Sequence, residues 1–258
     1  MNSGPIRVEQ KEGILTLWLN RPEKRNALNG ALVDALTEAF REAEGRADVR
    51  VIVLRGKGPV FCAGADLAEL ERYTEMGSEE SLADAKRLGG LLLAMRRHPR
   101  PIIAAVHGDA FAGGCGLATA CDLILASEKA VLGYPEVQLG FVPAMVMAIL
   151  RKKLGEGRAF EMVAMGKGIS ASEAREIGLV NRVFSADEFD TGVEDLAGEL
   201  AKRPPEAISL TKSLLYELAD LSVAEGIARG AEVNVEARQT EACRAGVRSF
   251  LRKHGTTS

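Results

Sequence analysis

At 258 residues, 47% of them hydrophobic and 27% charged, the chain can bury a sizeable core, either as one large domain or as a core with an appendage. A formal net charge of −3 without any basic run argues against nucleic acid as the main partner, and no stretch has the make-up of a signal peptide or the length of a membrane span. A soluble, cytoplasmic protein is expected, with its four cysteines, Cys62, Cys115, Cys121 and Cys243, reduced, because they lack paired spacing and most sit inside apolar motifs.

Ile6 to Val8 and Ile14 to Leu19 flank Lys11-Glu12-Gly13, the pattern of a hairpin. A cation-bearing loop from Arg21 to Leu28 follows, and Asn29 caps a helix whose apolar stripe is Leu32, Leu36, Ala39 and Phe40. Val51 to Arg55 reads as a buried strand that leads into Phe61-Cys62-Ala63-Gly64-Ala65-Asp66-Leu67, where Asp66 is placed to cap a helix. Leu88 to Met95 is an apolar helical run stopped at His98-Pro99-Arg100-Pro101. Ile102 to Val106 is a strand entering a turn of small residues, after which Leu117, Ala120 and Cys121 take up helical spacing. Asp122 to Ala126 is a further strand, and Val131 to Val137 continues extended, Pro135 forbidding helix. A helix from Pro143 to Leu150, a short one from Ala171 closed by Gly178, and a strand from Leu179 to Phe184 complete this part. From Asp187 the pattern is helical with a break at Arg203-Pro204-Pro205. Strands alternating with helices predict α/β with mostly parallel pairing. The last helices are too few to enclose a core and must cover something else.

Glycines at a helix start leave backbone N–H groups unshielded, so a ligand oxygen can approach them with the helix dipole behind. The turns at Cys62 to Ala65 and at Ala112 to Gly116 could face each other and aim one N–H apiece at a single oxygen; the plain alternative is that both only allow tight packing. A dinucleotide fingerprint is excluded, since Gly114-x-Gly116 is followed by Thr119 where the last glycine belongs. No metal is implied by the three scattered histidines, and the absence of G-x-S-x-G excludes a nucleophile elbow. His98 and His107 read as structural, and Cys115 has no histidine predicted close by to make it a nucleophile.

The pair F-C-A-G-A-D-L and G-D-A-F-A-G-G-C-G-L-A-x-x-C-D, together with I-S-A-x-E-A-x-x-x-G-L-V-N from Ile169 to Asn181, resembles the crotonase (enoyl-CoA hydratase/isomerase) superfamily, from Asn20-Arg21-Pro22 to the C-terminal helices. The resemblance implies an α/β fold, a crotonase-type spiral of repeated ββα units over residues 1–195, with a C-terminal helical oligomerisation region over 196–258 that makes a homotrimer or a dimer of trimers and covers the active site. It implies an acyl-CoA thioester as substrate, with coenzyme A part of that substrate and no separate cofactor, and a role in fatty-acid or related acyl-CoA catabolism. The oxyanion donors would be the N–H groups of Ala63 and Gly113. Lys24, Arg25 and Ala27 would lie along the CoA nucleotide, and Ala65, Asp66, Leu67, Gly114, Gly116 and Tyr134 would be further substrate contacts.

Removing an α-proton from a thioester, or adding water across its conjugated bond, requires a stabilised enolate and a proton carrier. Hydratases of the family carry two glutamates twenty residues apart; the second matches Glu136 in Tyr134-Pro135-Glu136, and the first falls on Gly116. One glutamate suits a proton shuttle, hence double-bond isomerisation, and leaves decarboxylation, thioester hydrolysis or binding without turnover as alternatives. The dienoyl-CoA isomerases need a further acid where this chain has Ala144. Glu69 and Glu71 are the nearest replacement acids in sequence and read as solvated helix-face residues.

Overall fold

The computed structural model describes residues 4–255. A hairpin of β1 (Ile6–Lys11) and β2 (Ile14–Leu19) turns through Glu12 and Gly13, both at positive φ, the conformation that matches strand twist in a two-residue turn. Next come α1 (Gly30–Glu44), β3 (Val51–Gly56), α2 (Leu67–Tyr73), α3 (Ser78–Arg97), β4 (Ile102–Val106), β5 (Ala110–Phe111) and α4 (Gly113–Ala120). The chain continues through β6 (Leu123–Ser127), β7 (Val131–Gly133), α5 (Ala144–Leu154), α6 (Glu156–Met165), β8 (Gly168–Ser170), α7 (Ala171–Glu176) and β9 (Arg182–Phe184). Four helices close it: α8 (Phe189–Ala201), α9 (Pro205–Glu217), α10 (Val223–Gln239) and α11 (Glu241–His254).

The main sheet has the order β1-β2-β3-β4-β6-β9, parallel except for β1, and a smaller sheet has the order β5-β7-β8. Parallel strands need crossovers, and the helices that supply them bury both faces of the main sheet. In β3, Ile52 and Leu54 join the core beneath α1, whereas Val51 and Val53 face α8 through Phe189, Val193 and Ala197. Each such fully buried side chain contributes about 1.5–3 kcal/mol. A division at residue 195 therefore falls inside α8, which packs on the sheet as far as Ala197; the sheet-covering layer runs to the end of that helix.

Extended chain was expected through Val137, but it ends at Gly133. Pro135 opens a 3-10 turn (Pro135–Leu139), because a proline at the first position of a helical turn gives up no hydrogen bond. Asn29 caps α1 by accepting from the Leu32 N–H at 3.0 Å, and Leu32, Leu36, Ala39 and Phe40 are buried. Cys62, Cys115 and Cys121 are buried free thiols, and burial pushes each up to about 12.

The C-terminal helices are tied to the core by a buried ion pair. Lys212 of α9 places its ammonium 2.9 Å from the Asp122 carboxylate and donates to the carbonyls of Met95 and Arg100, both at 3.1 Å. Asp122 also accepts from the Ile102 N–H at 2.7 Å and from the Tyr216 hydroxyl. Beyond this anchor, α9, α10 and α11 leave Leu215, Val223, Ile227, Phe250 and Leu251 more than half exposed. No helix among the described residues is long and apolar enough to cross a membrane.

Candidate active site

Three segments converge on one cavity of about 600 Å³ with mainly apolar walls. The first, residues 61–66, runs between two others. Cys62 donates to the Asp109 carbonyl at 3.1 Å and accepts from the Phe111 N–H at 3.0 Å. On the other side Leu28 donates to the Gly64 carbonyl at 2.7 Å and accepts from the Asp66 N–H at 2.9 Å. The Leu28–Ala65 bridge thereby uses the groups flanking Ala65 and turns the Ala65 N–H away from Leu28. Gly64 lies at φ 99°, and a Cβ there would sit 2.8 Å from the Ala112 Cβ, so only glycine lets the two turns approach this closely.

The second segment enters α4 through Ala112, whose φ of 49° and ψ of −126° are strained for a residue with a Cβ. A bond from the Ala112 N–H to the Gly133 carbonyl at 2.9 Å holds it and joins the third segment. Gly113 then begins α4, with no side chain capping that end. Among the described residues neither the Ala65 nor the Gly113 N–H has a hydrogen-bond partner, and both residues line the cavity. The Ala63 N–H, expected as the first donor, is already committed to the Arg25 carbonyl at 3.0 Å. An N–H so engaged is not free for a ligand, and Ala65, two residues on, presents the free one.

Glu136 stands at the second position of the 3-10 turn and reaches the same cavity. One of its carboxylate oxygens is buried without a partner, and desolvation raises its proton affinity above the usual carboxylate range. An uncompensated carboxylate is costly to bury, and perturbed acids of this kind concentrate where protons are moved. Gly116 faces the cavity from α4; a Cβ there would meet only Val146, at 3.8 Å.

The structure brings Ala65, Leu67, Gly113, Gly116 and Glu136 together, with Ala63 contributing to the wall. Several other expected contacts do not line this cavity. Tyr134 is fully buried, bonded through its hydroxyl to Thr119 at 2.7 Å, and is a core residue. Gly114 packs on Cys62, whose carbonyl would lie 2.3 Å from any Cβ. Asp66 caps α2 at the Ala68 N–H, 3.1 Å away, and pairs with Arg21 at 2.8 Å. Ala27 is buried, its carbonyl accepting from Arg21 at 2.5 Å. Lys24 and Arg25 are exposed outside the cavity, Arg25 standing 3.5 Å from Asp109.

His98 is buried, its Nδ1 accepting from the Arg100 N–H at 3.0 Å. His107 bonds the Gly58 carbonyl at 2.8 Å and lines a separate polar cavity with Arg55, Lys57 and Lys129. Glu71 is exposed, as a helix-face reading expects, but Glu69 is not solvated: its side chain is 17% exposed, it pairs with Arg72 at 3.4 Å and it lines the site. Tyr73, Asp84 and Arg87 also line it; Tyr73 opens the Tyr73-to-Ser78 break, a segment that in the family shapes the acyl pocket, whereas local sequence patterns gave no signal for Asp84 and Arg87.

Comparison with known proteins agrees on one family. Residues 9–257 match the sequence family described as enoyl-CoA hydratase/isomerase. A Thermus thermophilus protein provisionally named enoyl-CoA hydratase is 40% identical over 248 residues, 96% of this chain and 98% of the relative. The crystal structure of a Mycobacterium smegmatis enoyl-CoA hydratase superposes with a TM-score of 0.93 at 32% identity, covering 97% of each chain. A Bacillus anthracis enoyl-CoA hydratase superposes at 0.91 with 30% identity, covering 96% of each chain.

Proposed function

Because the chain belongs to the enoyl-CoA hydratase/isomerase family and has the crotonase fold, we propose that it binds an enoyl-CoA with the thioester oxygen between the Ala65 and Gly113 N–H groups and uses Glu136 to move the double bond. The observation that carries this reading is the unpartnered Glu136 carboxylate in the cavity that also holds the two free N–H groups. Preorganised donors of this kind act where charge develops, and each contributes about 3 kcal/mol to an oxyanionic transition state. As the carboxylate removes a proton from C2 of a 3-enoyl-CoA, electrons flow into the thioester and the oxygen gains charge between the two donors. Return of that proton to C4 gives the conjugated 2-enoyl-CoA. Apolar walls keep the carboxyl's proton affinity high enough for it to act as both base and acid.

Lys24 and Arg25, accessible on their loop, suit the phosphates of the CoA nucleotide. The exposed apolar faces of α9 to α11 suit self-association as a homotrimer or a dimer of trimers. Fatty-acid or related acyl-CoA breakdown is the metabolic setting this chemistry serves.

Hydration is the second reading, favoured by one observation: Glu69 lines the cavity, so a second carboxylate is present although position 116 is glycine. The two readings part on substrate. Isomerisation of 3-enoyl-CoA should outpace hydration of 2-enoyl-CoA, both followed by absorbance of the conjugated thioester. Hydration of crotonyl-CoA at about 10 per second or more, abolished in Glu69→Gln, would reverse the assignment. Installing the missing acid supplies the converse experiment. Gly116→Glu has space for its Cβ and should raise hydration at least about tenfold, a fraction of the roughly 10²- to 10⁴-fold that a positioned acid or base contributes; an unchanged hydration rate in a folded variant would mean that the acid at this position is not what limits water addition.

A further inference from the structure

Arg87 is the single cation among the described residues that line the cavity, in a wall otherwise made of apolar, acidic and a few neutral polar residues. It projects from α3 over the first turn of α1, so close that a Cβ on Gly30 would lie 2.5 Å from its Nη1 with no other group but that guanidinium within 4 Å. Glycine at position 30 is therefore the space that the guanidinium occupies. Its carboxylate neighbour is Asp34, 3.7 Å away and 64% exposed, a contact of little strength in water. Of the acidic wall residues, Glu69 and Asp84 are otherwise engaged, since Arg72 lies 3.4 Å from Glu69 and 3.7 Å from Asp84, and Glu136 is the group assigned to the reacting carbons.

Arg87 has a defined place relative to the reacting end. A Cβ on Gly113 would touch the side chains of Leu28 and Leu88, at 2.8 and 4.0 Å. Those two residues thus flank the proposed oxyanion donor; Gly30 lies two residues after Leu28 and Arg87 one residue before Leu88, and both line the same cavity. An acyl chain anchored by its thioester at Gly113 and running along Leu28 and Leu88 would head along the wall that carries the Arg87 guanidinium. A methyl terminus there would give the cation nothing to pair with, whereas a carboxylate would make a charge-assisted, two-pronged contact.

Resting on the acyl-CoA reading above, we propose that this enzyme selects substrates whose acyl chain ends in a carboxylate, the monothioesters of dicarboxylic acids, and that Arg87 is the residue that receives it. The test uses saturated, unreactive esters, so it needs no turnover: affinities of adipyl-CoA, hexanoyl-CoA and free CoA measured by calorimetry. Wild type should bind adipyl-CoA at least about tenfold more tightly than hexanoyl-CoA, the smaller end of what a hydrogen bond to a charged group supplies. Arg87→Met, which keeps the stem and removes the charge, should bring that ratio to within about twofold of one. Gly30→Ala, by displacing the guanidinium, should lower the ratio in the same direction. A ratio near one in wild type, or one unchanged in Arg87→Met, overturns the proposal. Equal weakening of both esters and of free CoA also overturns it, because the anion bound would then be a CoA phosphate. Failure of every ester to bind would instead remove the acyl-CoA reading on which the proposal rests.

Discussion

Glu136→Gln is expected to lower turnover by 10²- to 10⁴-fold, the range a positioned proton carrier contributes, while affinity for the CoA ester changes by no more than a few fold. The amide keeps the shape of the side chain but cannot shuttle a proton, so the loss should appear in kcat with KM little changed. A variant keeping more than a tenth of wild-type turnover would show that a different group does the chemistry, and Glu69 would be the first to examine. Stability supplies an independent signature. Burial raises the Glu136 carboxyl above its ordinary value of 4.5, so the folded state holds this proton more tightly than the unfolded state. The carboxylate therefore costs stability increasingly as pH rises from about 4.5 through the folded value, and the full cost remains above it. Glu136→Gln should accordingly melt higher than wild type at pH 8, with the advantage shrinking as pH falls toward about 4.5 and gone below it. A melting difference independent of pH would contradict the desolvated carboxylate.

Lys212→Met is expected to destabilise the fold by about 3–5 kcal/mol, the usual result of removing one partner from a buried ion pair, which for a chain of this size lowers the melting temperature by roughly 10 °C. Lys212 and Asp122 have side chains only 8% and 14% exposed. Desolvation lowers the lysine's proton affinity and Asp122 opposes that shift, so each charge is tolerable through the other. Without the ammonium, Asp122 keeps only the Ile102 N–H and the Tyr216 hydroxyl as partners, and the Met95 and Arg100 carbonyls lose their donor. Asp122→Asn in the same chain removes the stranded charge and should recover part of the loss. Melting at fixed protein concentration, compared across the two single variants and the double, checks this; a Lys212→Met change within 1 °C of wild type would mean that water replaces the ammonium without difficulty.

Elements whose determinants are local were legible in the sequence. The Asn29 and Asp66 caps, the β3 strand and the glycine-rich entry to α4 depend on neighbours within a turn or on simple periodicity, and the structure has each of them. What could not be read was set by partners far along the chain. Which alanine of residues 61–66 offers a free N–H depends on Arg25 engaging Ala63 and on Leu28 bridging Ala65, and neither pairing has a local signal. Tyr134 and Glu136 would share a face on a continuing strand. The 3-10 turn at Pro135 breaks that alternation, leaving the tyrosine in the core and sending the glutamate to the cavity. Glu69 and Arg87 were hidden for the reverse reason: their helices look amphipathic, but the face that composition assigns to water borders the cavity.

The hydrogen bonds that aim the site's groups span long stretches of chain: 36 residues from Leu28 to Gly64, 49 from Cys62 to Phe111 and 21 from Ala112 to Gly133. Closing loops of that length costs entropy before any contact rewards it, so these pairings belong to the slow, non-local part of folding. No excised fragment short of residues 28–136 contains every partner, and no isolated hairpin or helix is a partial catalyst. During refolding, helical content and collapse can return early, whereas turnover returns only when all three closures hold at once. On the function proposed above, catalytic activity is expected to report the last step of assembly, and a local opening at any one of the three closures is expected to silence it.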